Sequence, residues 1–346
     1  MESDKPLISI IILNYNGERF LKVLFDSLLR TTYPNYEIIM IDNHSTDDSI
    51  DFVRKNYPSV KIYDSGKNLG YAGGNNFGIE KANGEFVLLL NNDIEVTSGW
   101  LEPIIKEFEA DENVVACQPK IRQMKNREYF EYAGAAGGFM DVFGYPFLRG
   151  RIMDTIEKDE GQYDDNIDLF WASGAAIAIR KEVLDHIGLL DEDFFLHMEE
   201  IDLCWRILLQ GKRIRICSDS VIYHFGGGTL KQGNFQKIYL NHRNSIFMML
   251  KNYSTHRLLY LLPARIILDK ITFLKGLITF DTKLIKSLFM AYKWLVINFK
   301  LIMGKRKIVQ QNRKVKDKAL DKLFYHKSVA LDYFLFNKKT FKEIWK

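Results

Sequence analysis

The chain has 346 residues, 47% of them hydrophobic and 13% aromatic, enough for one large domain or two modest ones with true cores, which excludes a disordered chain. With 23 glycines, 7 prolines and no internal period, it is neither collagen-like nor a repeat protein. The net charge of +4 hides a division: residues 251–346 hold 22 Lys and Arg against 6 Asp and Glu, the rest 26 against 38. A basic segment joined to an acidic one points to a polyanionic partner, either nucleic acid or an anionic membrane surface. Cys117, Cys204 and Cys217 form no CxxC pair, so neither a disulfide framework nor a thiolate zinc site is indicated, and a reducing compartment fits best. The apolar run 7–13 lacks a following cleavage site and no stretch reaches about 18 uninterrupted apolar residues, so a cytoplasmic protein without a membrane span is expected.

In chain order, residues 7–13 read as a buried strand and 18–30 as a helix with Phe20, Leu21, Leu24 and Leu28 on one face. A second strand over 36–41 ends at Asp42; a helix over 49–56, a strand over 60–63, a glycine-rich turn, a helix over 75–81 and a strand over 86–90 follow. This alternation predicts an α/β domain, a mostly parallel sheet flanked by helices. Ligands of such sheets sit beyond the carboxyl ends of the strands, so Asn14, Asn16, Asp42 and Asn91-Asn92-Asp93 are expected in one crevice. Residues 171–180 read as a further strand and 199–206 as a helix.

Beyond Lys251 the pattern turns to long helices, one over 258–279 that Pro263 kinks or divides, and one over 283–307. On the latter, Lys286, Lys293, Lys300 and Lys307 fall seven apart and make a narrow basic stripe. Opposite lie Leu284, Leu288, Phe289, Tyr292, Leu295, Val296, Phe299 and Ile302, an apolar face of the kind interfacial helices bury in lipid. The expected division is therefore a catalytic domain over 1–250 and a basic amphipathic, membrane-associating helical region over 251–346. In the alternative, this face packs on the catalytic domain or on a second subunit of a homodimer.

The sequence has no G-x-G-x-x-G after its first strand, no P-loop and no H-E-x-x-H, which removes the main support for dinucleotide, P-loop and zincin chemistry. Asp42, at a strand end, either accepts hydrogen bonds from a base or ribose or, with Thr46, caps the next helix. The segment Asn68-Leu69-Gly70-Tyr71-Ala72-Gly73-Gly74-Asn75-Asn76 either lets backbone approach an anion or is a flexible turn. Asp93 either offers oxygen to a hard cation bridging two phosphates or simply forms a turn. Glu199, Asp202 and Arg206 have the spacing of a surface salt-bridge ladder, which leaves Glu200 free to face a cleft with a raised pKa suited to base chemistry. His224 precedes a glycine run, and Arg243 either adds charge to a diphosphate or lies on a helix surface.

The set Asn14-Tyr15-Asn16-Gly17, Ile41-Asp42-Asn43-x-Ser45-x-Asp47, the glycine-rich segment from Asn68 to Asn76, Leu89-Leu90-Asn91-Asn92-Asp93, Ser173-Gly174-Ala175, Phe194-Phe195 followed by Glu199-Glu200-x-Asp202-Leu203 and Arg206, and His224-x-Gly226-Gly227-Gly228 resembles glycosyltransferase family 2. The likeness covers roughly residues 7–251 and is greatest to the rhamnosyltransferase-like branch of bacterial surface polysaccharide synthesis. It implies a GT-A fold with a C-terminal helical extension, a nucleoside diphosphate sugar donor (rhamnose for that branch), inversion at the anomeric carbon, and a lipid-linked glycan or polysaccharide acceptor, with no role for nucleic acid. It also implies a divalent Mg or Mn cofactor, and together with the basic, amphipathic C-terminal part it gives an expected place of work on an anionic surface at the inner face of the cell membrane. Carried over, Asp42 contacts the base, Asp93 holds the metal-diphosphate, His224 is a second metal ligand, and Glu200 is the general base with Glu199 in reserve. Asn14, Asn16, Asn68, Gly70, Asn76, Asn92, Trp171, Gly174 and Arg243 fall among the substrate-binding positions. Two departures stand out: Asn91 replaces the first Asp of the metal motif, weakening the cation site, and Glu200 stands where the family usually has Asp. A sugar-1-phosphate nucleotidyltransferase is the enzymatic alternative, but only one glycine lies between Asn14 and Arg19. A non-enzymatic polyanion-binding protein is the other, and the apolar face opposite the lysines disfavours it.

Overall fold

The computed structural model describes residues 5–226 and 234–345. In chain order the elements are β1 (Ile8–Asn14), α1 (Glu18–Leu28), β2 (Tyr36–Asp42), α2 (Ser49–Asn56), β3 (Lys61–Asp64), α3 (Gly70–Lys81), β4 (Phe86–Asn91), β5 (Ile94–Val96), α4 (Leu101–Ala110), β6 (Val114–Gln123), β7 (Gly138–Asp141), β8 (Pro146–Leu148), β9 (Arg151–Ile152), β10 (Thr155–Ile156), β11 (Ala176–Arg180), α5 (Glu182–Ile187), α6 (Glu199–Leu209), β12 (Arg213–His224), α7 (Phe235–Asn252), α8 (Thr255–Ile278), α9 (Thr282–Ile297), α10 (Phe299–Asn312), β13 (Phe324–Tyr325), α11 (Val329–Phe334) and α12 (Phe341–Ile344).

Successive side chains of a strand point to opposite faces, and the isoleucines of β1 bury both. Ile8, Ile10 and Ile12 join one apolar core with α1 and α4, while Ile11 joins another with α3, α6 and the C-terminal helices. The large sheet runs β3-β2-β1-β4-β11-β6-β12-β5. Its first four strands are parallel, β11 is antiparallel to both neighbours, β12 is parallel to β6 and β5 is antiparallel to β12. A second sheet, β10-β9-β8-β7-β13, ends in a strand from the C-terminal region, with Phe324 opposite Met140.

That region shares the core of the first half. Trp205 of α6 meets Tyr253 edge-on at 4.6 Å between centroids, and Phe324 stacks on Tyr253 at 5.5 Å. Position 251 lies inside α7, and Lys251 is buried, bonded to Asp191 at 2.6 Å and Asp202 at 2.8 Å.

Several local expectations change. The glycine-rich stretch is not a turn: α3 begins at Gly70, and Gly74 and Gly78 remove the side chains that would collide with Leu13 and Ile11, so the helix can lie close on β1. Residues 171–175 are not strand; Ser173 turns the chain by accepting from Ala175 N–H through Oγ. Asp202 and Arg206 do pair, at 2.9 Å, but in the interior and without Glu199. Pro263 lies within a continuous α8. The stretch 283–307 divides at Asn298, so the four lysines do not share one helix. Of its apolar face, Leu288, Leu295 and Ile302 are buried in the core, whereas Phe289, Val296 and Phe299 are exposed.

Candidate active site

The sheet brings Asn14, Asp42 and Asn91 to one level, because Asn14 pairs with Asp42 and Leu13 with Asn91 across adjacent parallel strands. The connections leave β1 in opposite directions here, and a crevice opens beyond the strand ends. A cleft of about 930 Å3 occupies this position.

Asn14 and Asp42 form its buried support and do not line it. Asn14 Nδ2 donates to Asp42 Oδ1 (3.1 Å) and Ser45 Oγ (3.2 Å), its Oδ1 accepts from Asn92 (2.8 Å), and Asp42 Oδ2 accepts from Ser45 N–H (2.8 Å). Each Asp42 oxygen thus accepts a hydrogen bond and the residue is buried, so Asp42 and Asn14, expected to contact base and substrate, stand behind the cleft lining. Asn43, itself buried, lines the cleft instead, with Asn16, Asn68, Gly70 and Asn92. Gly17 allows the closure, since a β-carbon there would strike Asn92 and Asn14. Gly70 has φ +70°, and a β-carbon on it would lie 2.7 Å from the carbonyl of Phe195, so this position of α3 demands glycine.

Two further residues expected to bind substrate are absent from the cleft lining. Asn76 lies away from the cleft, its side chain donating to Leu190 O (2.9 Å) and accepting from Leu190 N–H (3.0 Å). Arg243 also lies outside the cleft lining: Nη2 donates to the carbonyls of Asp193 (2.9 Å) and Phe194 (2.7 Å), and the guanidinium sits 4.6 Å from the Trp294 ring. Lys237, one and a half turns earlier on α7, does line the cleft and makes no ion pair among the described residues.

Asp93 follows β4 and His224 ends β12, and the two meet in the cleft wall, with Nε2 2.9 Å from Asp93 Oδ1. The other nitrogen, Nδ1, lies 3.1 Å from Glu131 Oε2. Burial opposes charge on this imidazole, but the two carboxylates overcome it and push its pKa up to about 10. Burial raises and His224 lowers the Asp93 carboxyl, which ends below its ordinary value. Protonated, this imidazole is the ion-pair partner of Asp93 and not a metal ligand; on losing its proton it would present Nε2 beside the Asp93 carboxylate as a second donor. No group of three His, Cys, Asp or Glu suited to an ion occurs among the described residues, and Asp93 and His224 together offer two donors. The Gly227 and Gly228 of the motif lie outside the described residues.

On the opposite wall, α6 opens with Glu199 and Glu200, both lining the cleft. Each carries a buried Oε2 with no hydrogen-bond partner in the structure. Burial, then the charge of Glu200, holds the Glu199 carboxyl well above its ordinary range. Burial raises Glu200 to about 7 against the pull of nearby backbone N–H groups. The chain reaches α6 through left-handed residues, Phe195, His197 and Met198, and α7 holds that loop: Asn244 Nδ2 donates to the carbonyls of Phe194 (3.1 Å), Leu196 (3.0 Å) and His197 (2.7 Å). His197 is kept neutral, its pKa lowered to about 4 by burial and then by Lys237. Tyr71 donates to Gly174 O (2.5 Å), and Trp171 Nε1 to Phe139 O (2.8 Å), fixing two more lining residues.

The structure thus gathers Asn16, Asn68, Gly70, Asn92, Asp93, Trp171, Gly174, Glu199, Glu200 and His224 around one cleft. It adds Glu131, His197 and Lys237, which carried no local signal beyond their charge. Tyr71 stood inside the glycine-rich motif.

Comparison with known proteins agrees. The chain is 27% identical over 245 residues, 68% of its length and 73% of the relative's, to the low-salt glycan biosynthesis hexosyltransferase Agl10 of Haloferax volcanii. It is 23% identical over 234 residues, 63% of its length and 76% of the relative's, to the N-acetylglucosaminyl-diphospho-decaprenol L-rhamnosyltransferase of Mycobacterium tuberculosis. The mannosyltransferase PcManGT from Pyrobaculum calidifontis, solved with GDP-Man and Mn2+, shares the fold with a TM-score of 0.52 at 15% identity, over 90% of this chain and 87% of that one. The architecture is the GT-A arrangement of nucleotide-sugar transferases with a helical C-terminal region. A sequence profile described as "Glycosyl transferase family 2" matches residues 9–188, the span that supplies β1 to β4, Asp93 and the Ser173-Gly174 turn, and the chain belongs to that family.

Proposed function

We propose that the enzyme transfers a hexosyl group, with rhamnose among the candidates, from a nucleoside diphosphate sugar to a hydroxyl of a lipid-linked glycan, inverting the anomeric carbon. One observation carries the reading: Glu199 and Glu200, with unpartnered buried oxygens, face the same cleft as the Asp93–His224 pair. Glu200, near neutrality, accepts the proton of the acceptor hydroxyl. The oxygen's lone pair forms the new bond to the anomeric carbon while the bond to the diphosphate breaks, its electron pair leaving with the phosphate oxygen. Glu199 stays protonated beside it, which keeps one charge rather than two in the site.

Asp93 and, once deprotonated, His224 are the residues that would hold a divalent cation, which would supply positive charge to the diphosphate leaving group. The Glu131 carboxylate lies 3.1 Å from the other His224 nitrogen and balances charge on the ring, and Lys237 adds a positive charge on the cleft wall. The lipid-linked acceptor draws support from the relative named for a diphospho-decaprenol substrate. It agrees with a peripheral seat on the inner membrane face, no helix among the described residues being long and apolar enough to cross a bilayer.

Thermal shift and transfer assays over a panel of nucleotide sugars, with a lipid diphosphate glycan as acceptor and Mg or Mn present, test the reading. One nucleotide sugar should stabilise the protein and serve as donor. Asp93→Asn should lower transfer at least about 100-fold with little change in melting temperature; near-normal transfer with an unaltered metal response refutes the assignment.

A further inference from the structure

Exposed apolar side chains gather on the C-terminal helices. Along α8, Leu259, Pro263, Ile267, Ile271, Leu274 and Ile278 follow one another at three- or four-residue spacing and every one is exposed, so they form a single helix face. The face runs into the α8–α9 turn, where Ile278 is 78% and Phe280 87% exposed. Lys275 Nζ lies 5.6 Å from the Phe334 ring, which brings the run Phe334-Leu335-Phe336, exposed at 63, 70 and 68%, beside the same end of the helix. Large apolar patches of this kind mark interaction surfaces.

Charge selects the partner. Between residues 255 and 312, seven lysines are exposed against one acid, Asp281; the other acid, Asp269, is buried against Arg265. Two copies meeting through this face would set lysine against lysine, and a nucleic acid backbone offers no apolar phase for Ile278 or Phe280. A bilayer with anionic headgroups satisfies both components.

We propose that the outer face of α8, Phe280 and the 334–336 run form the surface that seats the enzyme on anionic phospholipid, the apolar side chains entering the interface and the lysines meeting headgroups. This rests on the peripheral association proposed above and places it on α8 rather than on the lysine stripe of 283–307. The core-packed Leu288, Leu295 and Ile302 are unavailable to lipid.

The test is cosedimentation of the full chain with vesicles of phosphatidylcholine and phosphatidylglycerol. The combined variant Ile271→Ser, Leu274→Ser, Ile278→Ser, Phe280→Ser should partition at least about tenfold more weakly, because burial of exposed side chains sets interfacial affinity. Wild-type binding should survive about 1 M salt, where screening shortens to about 3 Å. Transfer to a water-soluble acceptor should be unchanged, and Phe280→Ser alone, at an exposed turn, keeps the test available if the combined variant misfolds. Undiminished binding by the apolar variant, with release by glutamate at Lys286, Lys293, Lys300 and Lys307, overturns the placement and leaves membrane association standing. A wild type that pellets with no vesicle overturns both, and a lipid-free dimer that the apolar variant converts to monomer assigns the face to a second copy and overturns the placement.

Discussion

As the proposed base, Glu200 couples the pH dependence of transfer to that of stability. A base must be deprotonated, so transfer should rise with pH through about 7, the value to which burial lifts this carboxyl. Stability runs the other way. A carboxyl with a folded-state pKa above its unfolded value of 4.5 holds a proton in the native chain that the unfolded chain has released. Its contribution is complete below about 4.5 and is lost as pH rises through about 7. Glu200→Gln should therefore abolish the pH rise in transfer and lower the rate at least about 100-fold while donor binding persists. Above that window it should stabilise the fold by up to about 3 kcal/mol relative to wild type, read by urea denaturation across pH. If Glu199→Gln is the inactive variant and Glu200→Gln is active, the roles of the two residues are exchanged. The adjacent acids were legible in the sequence as a pair; the burial that raises both carboxyls was not, since it depends on how distant segments pack around α6.

At the scale of elements, the apolar runs named β1, β2 and β4 nearly to the residue, because strands buried on both faces leave a continuous signature. The glycine-rich stretch was misread because glycine signals a turn when neighbours are unknown and a close helix–strand approach when Leu13 and Ile11 lie beneath it. Residues acting through backbone carbonyls leave no mark at all. Asn244 clamps three carbonyls of a loop with three left-handed residues, a conformation that persists only where its surroundings enforce it. Asn244→Ala should cost about 2–3 kcal/mol through the unsatisfied carbonyls. It should also lower kcat with little effect on donor KM, because α6 and its two carboxyls begin where the loop ends. Equal loss in kcat and donor affinity would mean that the loop serves the donor instead.

Over the whole molecule, the charge division between the acidic first part and the basic remainder is partly internal neutralisation. Lys251 and Lys305 reach back to Asp191, Lys251 also to Asp202, and Lys305 to Asp193. Lys251→Met should destabilise by about 3 kcal/mol, measured by thermal or chemical denaturation, because it removes one partner from a buried cluster of carboxylates. A chain ending at residue 250 strips Trp205 of both Tyr253 and Phe324, so it should aggregate or melt far below the full protein instead of behaving as a free catalytic unit. The strand pair of β7 and β13 carries a temporal consequence. Met140 cannot find Phe324 until synthesis has passed well beyond His224, where the strands of the large sheet are already complete. Domains fold from the N-terminus during synthesis, and distant pairings close slowly. The nascent protein therefore passes through an interval in which the strands that frame the cleft exist but the second sheet is open along one edge, and its maturation waits on the segment that carries β13.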